Sequence, residues 1–316
     1  MKLQTKIPLS PSELVSLDYD KHILMLGSCF AQNMGEYMDY HKLPVTINPL
    51  GITFNPVALE RQVAIALSAA VLDQDRWVES QDHWVHLDAH SSRGGVTREL
   101  AEATLKKDLN RLNDSLRNAS VLFITLGTAW VYVHQETQAV VANCHKLPAR
   151  AFRKELLSIN AIRDSLVTMI REIRLVNAEV QFVFTVSPVR HLKDGFTENL
   201  RSKSHLIAAV LDLVDQDESV SYFPAYELLQ DELRDYRFYA EDMVHPNTLA
   251  IRYVWERLVS TYASAKAKHL MEEIAQIQKG LAHQPFNPDS QAHQQFKEQL
   301  NARIERLQKE YSQIQF

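Results

Sequence analysis

Four short runs of mostly apolar residues stand out along the chain: His22–Leu26, Val121–Leu126 (VLFITL), Val180–Val186 (VQFVFTV) and Ser219–Phe223 (SVSYF). They have the length of strands, and the longest two are near-continuously apolar, as in strands buried on both faces of a parallel sheet. Helical spacing of apolar residues fills the intervals, over Pro56–Val71, Arg98–Arg117, Ile159–Asn177 and Asn199–Val214. Strands that alternate with helices predict an α/β fold with a mostly parallel sheet. Ligands of such sheets bind beyond the carboxyl ends of the strands. The segments directly after the runs, GSCF, GTAW, SPVRH and PAYE, are therefore where a site is expected.

Two stretches break this alternation. Arg76–Gly95 alternates apolar and polar residues and predicts a small antiparallel hairpin inserted on the edge of the sheet; Trp130–Cys144 predicts a second hairpin. The last third is different again. Helical pattern runs almost unbroken from Arg252 to His283, stops at FNPDS, and resumes, highly charged, over Gln291–Ser312. This divides the chain into a main domain over 1–262 and a helical extension over 263–316, expected to pack on the main domain or to join copies of the chain into a homo-oligomer.

Composition narrows the function classes. Of 316 residues, 34 are Lys or Arg and 39 are Asp or Glu, a net charge of −5 that offers no general attraction for nucleic acid or an anionic membrane. Two cysteines, Cys29 and Cys144, make no disulfide framework. The first residues, MKLQTKIPLSPSEL, lack the apolar core of a signal peptide, and no apolar run has the length of a membrane span, so a cytoplasmic protein is expected. The expected partner is a small-molecule substrate, with no cofactor.

Chemistry-bearing residues begin at the first strand. Gly27 permits a tight turn, Ser28 falls where a helix starts, and Phe30, Met34, Tyr37 and Met38 follow at helical spacing. A hydroxyl there meets the free N–H groups and positive end of a helix, which could stabilise an oxyanion; it could equally serve as a helix cap. Far along the chain, Asp242 and His245 stand three apart before Pro246. That spacing lets a carboxylate fix one tautomer of an imidazole whose other nitrogen takes a proton from a hydroxyl. His90, Ser91, His145, Lys146, Arg190 and His191 also follow or interrupt strand-like segments, and Arg190 or Lys146 could bind an anionic or hydroxyl-rich substrate. His83, His86 and His90 lack the spacing of a closed zinc site, so no metal is expected.

The LGSCFA stretch and the D-x-x-H-P of Asp242–Pro246, with NPLGITFNP, TLGTAWVY, NCHKLP, SPVRH and DELRDYRFYAEDMVHPN between and around them, resemble the bacterial GSCFA family of the SGNH/GDSL hydrolase superfamily. The resemblance covers roughly residues 1–260. It implies a flavodoxin-like three-layer α/β/α sandwich, and a serine hydrolase, an esterase or deacylase acting on an O-acylated carbohydrate or a cell-wall-related small molecule. An acyltransferase using the same site, or a weakly catalytic binding protein, is the alternative. Ser28 would be the nucleophile, His245 the base and Asp242 its orienter. Gly51 matches the superfamily's oxyanion-hole glycine. Its asparagine has no counterpart in Gly127-Thr128-Ala129-Trp130, which leaves Thr128, Asn55 or Asn143 to replace it. The opening motif departs too: aligned on its glycine, G-S-C places Cys29 where G-D-S places the serine. Ser28 is the preferred nucleophile because Cys29 starts an apolar helix face.

Overall fold

The computed structural model describes residues 4–68 and 72–316. Strand β1 (Ile23–Gly27) leads through helix α1 (Cys29–Tyr40) to β2 (Val45–Ile47), and α2 (Pro56–Ser68) follows. A hairpin, β3 (Trp77–Ser80) and β4 (His83–His86), precedes α3 (Arg98–Asn118) and β5 (Val121–Leu126). Next come β6 (Trp130–His134), β7 (Ala139–Val140) and β8 (Phe152–Leu156), then α4 (Ile159–Arg174), β9 (Gln181–Val186), α5 (Phe196–Val214) and β10 (Val220–Tyr222). The chain ends through α6 (Ala225–Glu227), which runs on as a π turn, and the helices α7 (Thr248–Tyr262), α8 (Ala265–Leu281) and α9 (Gln291–Glu310).

The central sheet has five parallel strands in the order β10-β9-β5-β1-β2, the flavodoxin-like order. Alternation along each strand divides the apolar residues between two cores. Leu24, Leu26, Leu122, Ile124, Phe182 and Phe184 face a layer made by α2, α3, α4 and α5. Ile23, Met25, Val121, Phe123 and Val183 face α1, α7 and α8, with Leu307 of α9 and Ile314 beyond it. Each such side chain, fully buried, contributes on the order of 1.5–3 kcal/mol. The three-layer α/β/α architecture follows from a sheet apolar on both faces.

Four of the five strands coincide with the apolar runs. The fifth, β2, is only VTI, pairs with β1 from Ile23↔Val45 to Met25↔Ile47, and is too short to give a pattern. Helix α2 follows the expected pattern as far as Ser68; its expected last residues lie outside those described. The first hairpin forms, but as a separate two-stranded sheet rather than on the edge of the central one, because the free side of β4 is taken by the Trp84↔Gly95 bridge. A buried pair, Arg76 with Asp88, closes its base, and the Arg61 bond from α2 to Asp88 (2.9 Å) and the His90 N–H bond to Leu50 O (2.9 Å) fasten it to the body. The second hairpin gains β8 as a third strand.

The long C-terminal helix is broken. Ala263 is extended, bridges to Leu17, and is followed by Ser264, whose Oγ accepts from Ala267 N at 2.9 Å and starts α8. No described helix is long and apolar enough to cross a membrane.

Candidate active site

Strand β1 ends in Gly27 at φ +125°, with Thr125 O so close that a Cβ there would lie 2.1 Å from it. Only glycine fits this turn. Ser28 comes next, 3% exposed. Its N–H donates to Thr125 O at 3.1 Å, and its Oγ accepts from Phe30 N at 3.2 Å, so it caps α1. Cys29 is the first helical residue, with its thiol half-buried. Among the described residues its N–H has no backbone acceptor, as expected in the first turn of a helix, and with the Phe30 N–H it faces the thiol. Burial pushes its thiol up, and the ammonium of Lys203 acts the other way.

Asp242 and His245 lie on the loop before α7, which is closed by the bridge between Tyr239 and Pro246. Asp242 Oδ1 accepts from the N–H groups of Val244 and His245, both at 2.9 Å, and Oδ2 lies 2.6 Å from His245 Nδ1. The His245 backbone and ring donors, with the Val244 N–H, hold the Asp242 carboxyl down to about 2. Both side chains are half-exposed, and the carboxylate fixes the ring so that Nε2 points away from it. Among the described residues no hydrogen bond joins His245 to Ser28 or Cys29.

The loop sits at the carboxyl edge of the sheet. His245 is close enough to His191 to disfavour charge on it, and His191 Nε2 would be 3.4 Å from a Cβ on Gly127, directly after β5. Burial, first, and the charge of Lys203 push His191 down to about 4.

The other expected residues divide sharply. Gly51 is at φ +79°, and its N–H already donates to Asn48 O at 2.8 Å within a turn. Thr128 is buried, its Oγ1 paired with Ser202 Oγ and accepting from Trp130 N. Asn55 caps α2 through Ala58 N and reaches Val141 O. Asn143 accepts from His145 N at 2.7 Å through Oδ1, while its NH₂ group has no partner among the described residues. Arg190 bonds Gln230 and lines a cleft of about 430 Å³ together with Phe196, Tyr236, Tyr239 and Asp242.

His90, Ser91, His145 and Lys146 belong to the inserted hairpin region. Ser91 Oγ is 2.9 Å from His145 Nδ1, and His145 Nε2 is 3.0 Å from His86 O. Burial pushes His145 down to about 4. Lys146 is exposed and bonds Gln81. His86 and His90 each accept a local backbone N–H, and no metal-holding cluster of His, Cys, Asp or Glu occurs among the described residues.

One residue of the site escaped the sequence pattern. Lys203 of α5 is 1% exposed, and its Nζ donates at 2.7 Å to both Gly127 O and Ser187 O, the residues that follow β5 and β9. It stands on the apolar stripe of α5, four after Asn199 and three before Leu206, all buried. A lysine at a stripe position is the signal that was there to find.

No curated protein matches the chain. Among solved structures, a crystal structure of a Corynascus thermopiles (Myceliophthora fergusii) carbohydrate esterase family 2 enzyme plus carbohydrate binding domain is similar at 14% identity, with a TM-score of 0.28. The match covers 49% of this chain and 37% of that one, so the chain spans just over a third of the length of that protein. Residues 274–316 match the C-terminal domain of GSCFA domain proteins, and residues 22–258 match the GSCFA family itself. On that match, which takes in the β1–α1 junction and the Asp242–His245 loop alike, the chain belongs to the GSCFA family.

Proposed function

We propose that the protein is a hydrolase of the SGNH kind that cleaves an ester, with an O-acylated carbohydrate or a cell-wall-related small molecule as substrate. The observation that carries this is the Asp242–His245 pair: a 2.6 Å carboxylate–imidazole contact on a loop at the carboxyl edge of the sheet, where β1 also delivers a hydroxyl and a thiol to a helix start. In the mechanism, a nucleophile at the β1–α1 junction attacks the ester carbonyl and passes its proton to His245 Nε2. Asp242 holds the ring and stabilises the imidazolium. His245 then protonates the leaving alcohol, and a water activated by the same ring releases the acid. The proton transfer requires His245 Nε2 to come within hydrogen-bond reach of the nucleophile in the substrate complex.

Ser28 is the nucleophile that the family motif suggests. The oxyanion would be held by backbone N–H groups of the junction and by Gly51, Thr128 or Asn143, of which the Asn143 amide is the donor left uncommitted by the fold. Arg190 and the aromatic rings of the adjoining cleft would take the rest of the substrate. The exposed Leu281 and Phe286, at the turn between α8 and α9, support pairing of copies through the C-terminal helices, which light scattering would measure.

The test is turnover of short-chain aryl esters and acetylated sugars. Activity present in the wild type and reduced at least a hundredfold in His245→Ala supports the proposal; activity unchanged in that variant refutes it.

A further inference from the structure

Lys203 raises a question that the hydrolase reading leaves open. A buried ammonium is costly unless it is paired. Among the described residues Arg76 meets this need with Asp88, whereas Lys203 makes no ion pair. Its two acceptors are neutral carbonyls at the ends of β5 and β9, and burial pushes it down to about 7. The charged and titratable groups facing it are Arg190 and His191 from the loop after β9, the Tyr226 ring of α6 at 5.8 Å, and Cys29 from the start of α1. None of these is a carboxylate. Of the four, the Cys29 thiol and the Tyr226 hydroxyl can become anions; burial pushes both up, and the thiol has the lower ordinary value.

The two junction residues are also unequal as nucleophiles. Ser28 Oγ is occupied as the helix cap, its N–H is bonded to Thr125 O, and the residue is 3% exposed. Cys29 has a half-buried thiol one position further along, faced by the N–H groups of Cys29 and Phe30 in the first turn of α1. Resting on the hydrolase reading, we propose that Cys29 is the attacking residue of this site and that Lys203, held between Gly127 O and Ser187 O, is the positioning residue whose charge stabilises its thiolate.

The chemistry balances without any further reactant. Cys29 gives its proton to His245, and the thiolate sulfur forms a bond to the ester carbonyl carbon while the carbonyl π pair moves to oxygen, at the positive end of α1. Collapse breaks the C–O bond, and the alcohol leaves with the proton from His245. Water then attacks the thioester carbon, giving up a proton to His245; the C–S bond breaks, the acid departs, and the proton returns from His245 to the Cys29 sulfur. Lys203 touches neither substrate nor sulfur in this scheme. No hydrogen bond joins it to Cys29, and it acts through its field and through the two loops it ties together.

The test uses the full chain in a Cys144→Ala background, so that Cys29 is the single thiol. Iodoacetamide alkylation of Cys29, followed by mass spectrometry across pH 6–10, reads its thiolate directly and requires no turnover. Lys203→Met should slow alkylation about tenfold at pH 7.5 and move the rate profile about one unit to higher pH. An identical profile in both proteins overturns the role of Lys203. Should Lys203→Met fail to fold, rapid quenching of the unmodified chain with 4-nitrophenyl acetate decides the nucleophile. An acetyl group on Cys29, labile to hydroxylamine, supports the inference; an acetyl group on Ser28 overturns it. Full turnover in Cys29→Ala with none in His245→Ala likewise overturns the inference while leaving the hydrolase reading intact.

Discussion

Single residues here carry distinct, measurable burdens. Ser28→Ala removes a helix cap and should lower stability by about 1 kcal/mol, which urea unfolding would register. If Cys29 attacks, most of the turnover survives that change; its complete loss would return the nucleophile's role to Ser28. Gly51 is at φ +79°, and an added Cβ would meet His90 Cβ at 2.3 Å. Gly51→Ala should therefore cost about 1–3 kcal/mol through strain alone, and an unchanged melting temperature would contradict this. His145 and His191 are both held neutral, down to about 4 from the ordinary 6.5, by burial above all. In the unfolded chain both bind protons as pH falls below 6.5, whereas the folded chain resists until about 4. Stability is thus complete above pH 6.5 and is lost as pH falls through that window, at up to about 1.4 kcal/mol per pH unit for His145. Unfolding free energies at pH 7 and pH 5 would show it, and His145→Gln should flatten the dependence. An equal pH dependence in that variant would place the titration elsewhere.

At the scale of elements, the C-terminal helices were expected to serve assembly or packing, and the structure spends much of their apolar surface inside the chain. Ile274 and Ile277 of α8, Leu307 of α9 and Ile314 lie in the same core as Met25 and Phe123 of the sheet. Deleting everything after Phe286 would uncover α8 and remove Leu307 and Ile314, two side chains at 3% and 1% exposure. The truncated chain should lose several kcal/mol of stability; a truncation that melts like the full chain would show that α9 is an appendage. The break before α8 has a local cause as well. Ser264 caps α8 and bonds Asp18, while Ala263 pairs with Leu17, so the N-terminal segment fixes where one helix stops and the next begins.

Across the whole molecule, the site is an assembly of strand ends: Gly27 after β1, Gly127 after β5, Ser187 after β9, and the Asp242 loop brought back over them. Because Asp242 and His245 are half-exposed and off the core, Asp242→Asn should leave the melting temperature nearly unchanged and lower kcat by orders of magnitude. Activity within a few-fold of wild type would mean that His245 needs no carboxylate. The sequence by itself determined the parts whose physics is local. Continuous apolar runs such as VLFITL and VQFVFTV specify strands buried on both faces, helical spacing specifies the crossovers, and Asp242 and His245, three apart, meet whatever surrounds them. Tertiary structure decided the rest. The three residues of β2 become a strand only because β1 offers them an edge. The first hairpin forms its own sheet because Gly95 occupies its free side. Ser28 N–H is tied to Thr125 O of β5, a partner 97 positions away. Lys203 acquires meaning only where α5 carries it between Gly127 and Ser187, residues 76 and 16 positions away, whose spacing along the chain holds no trace of that meeting.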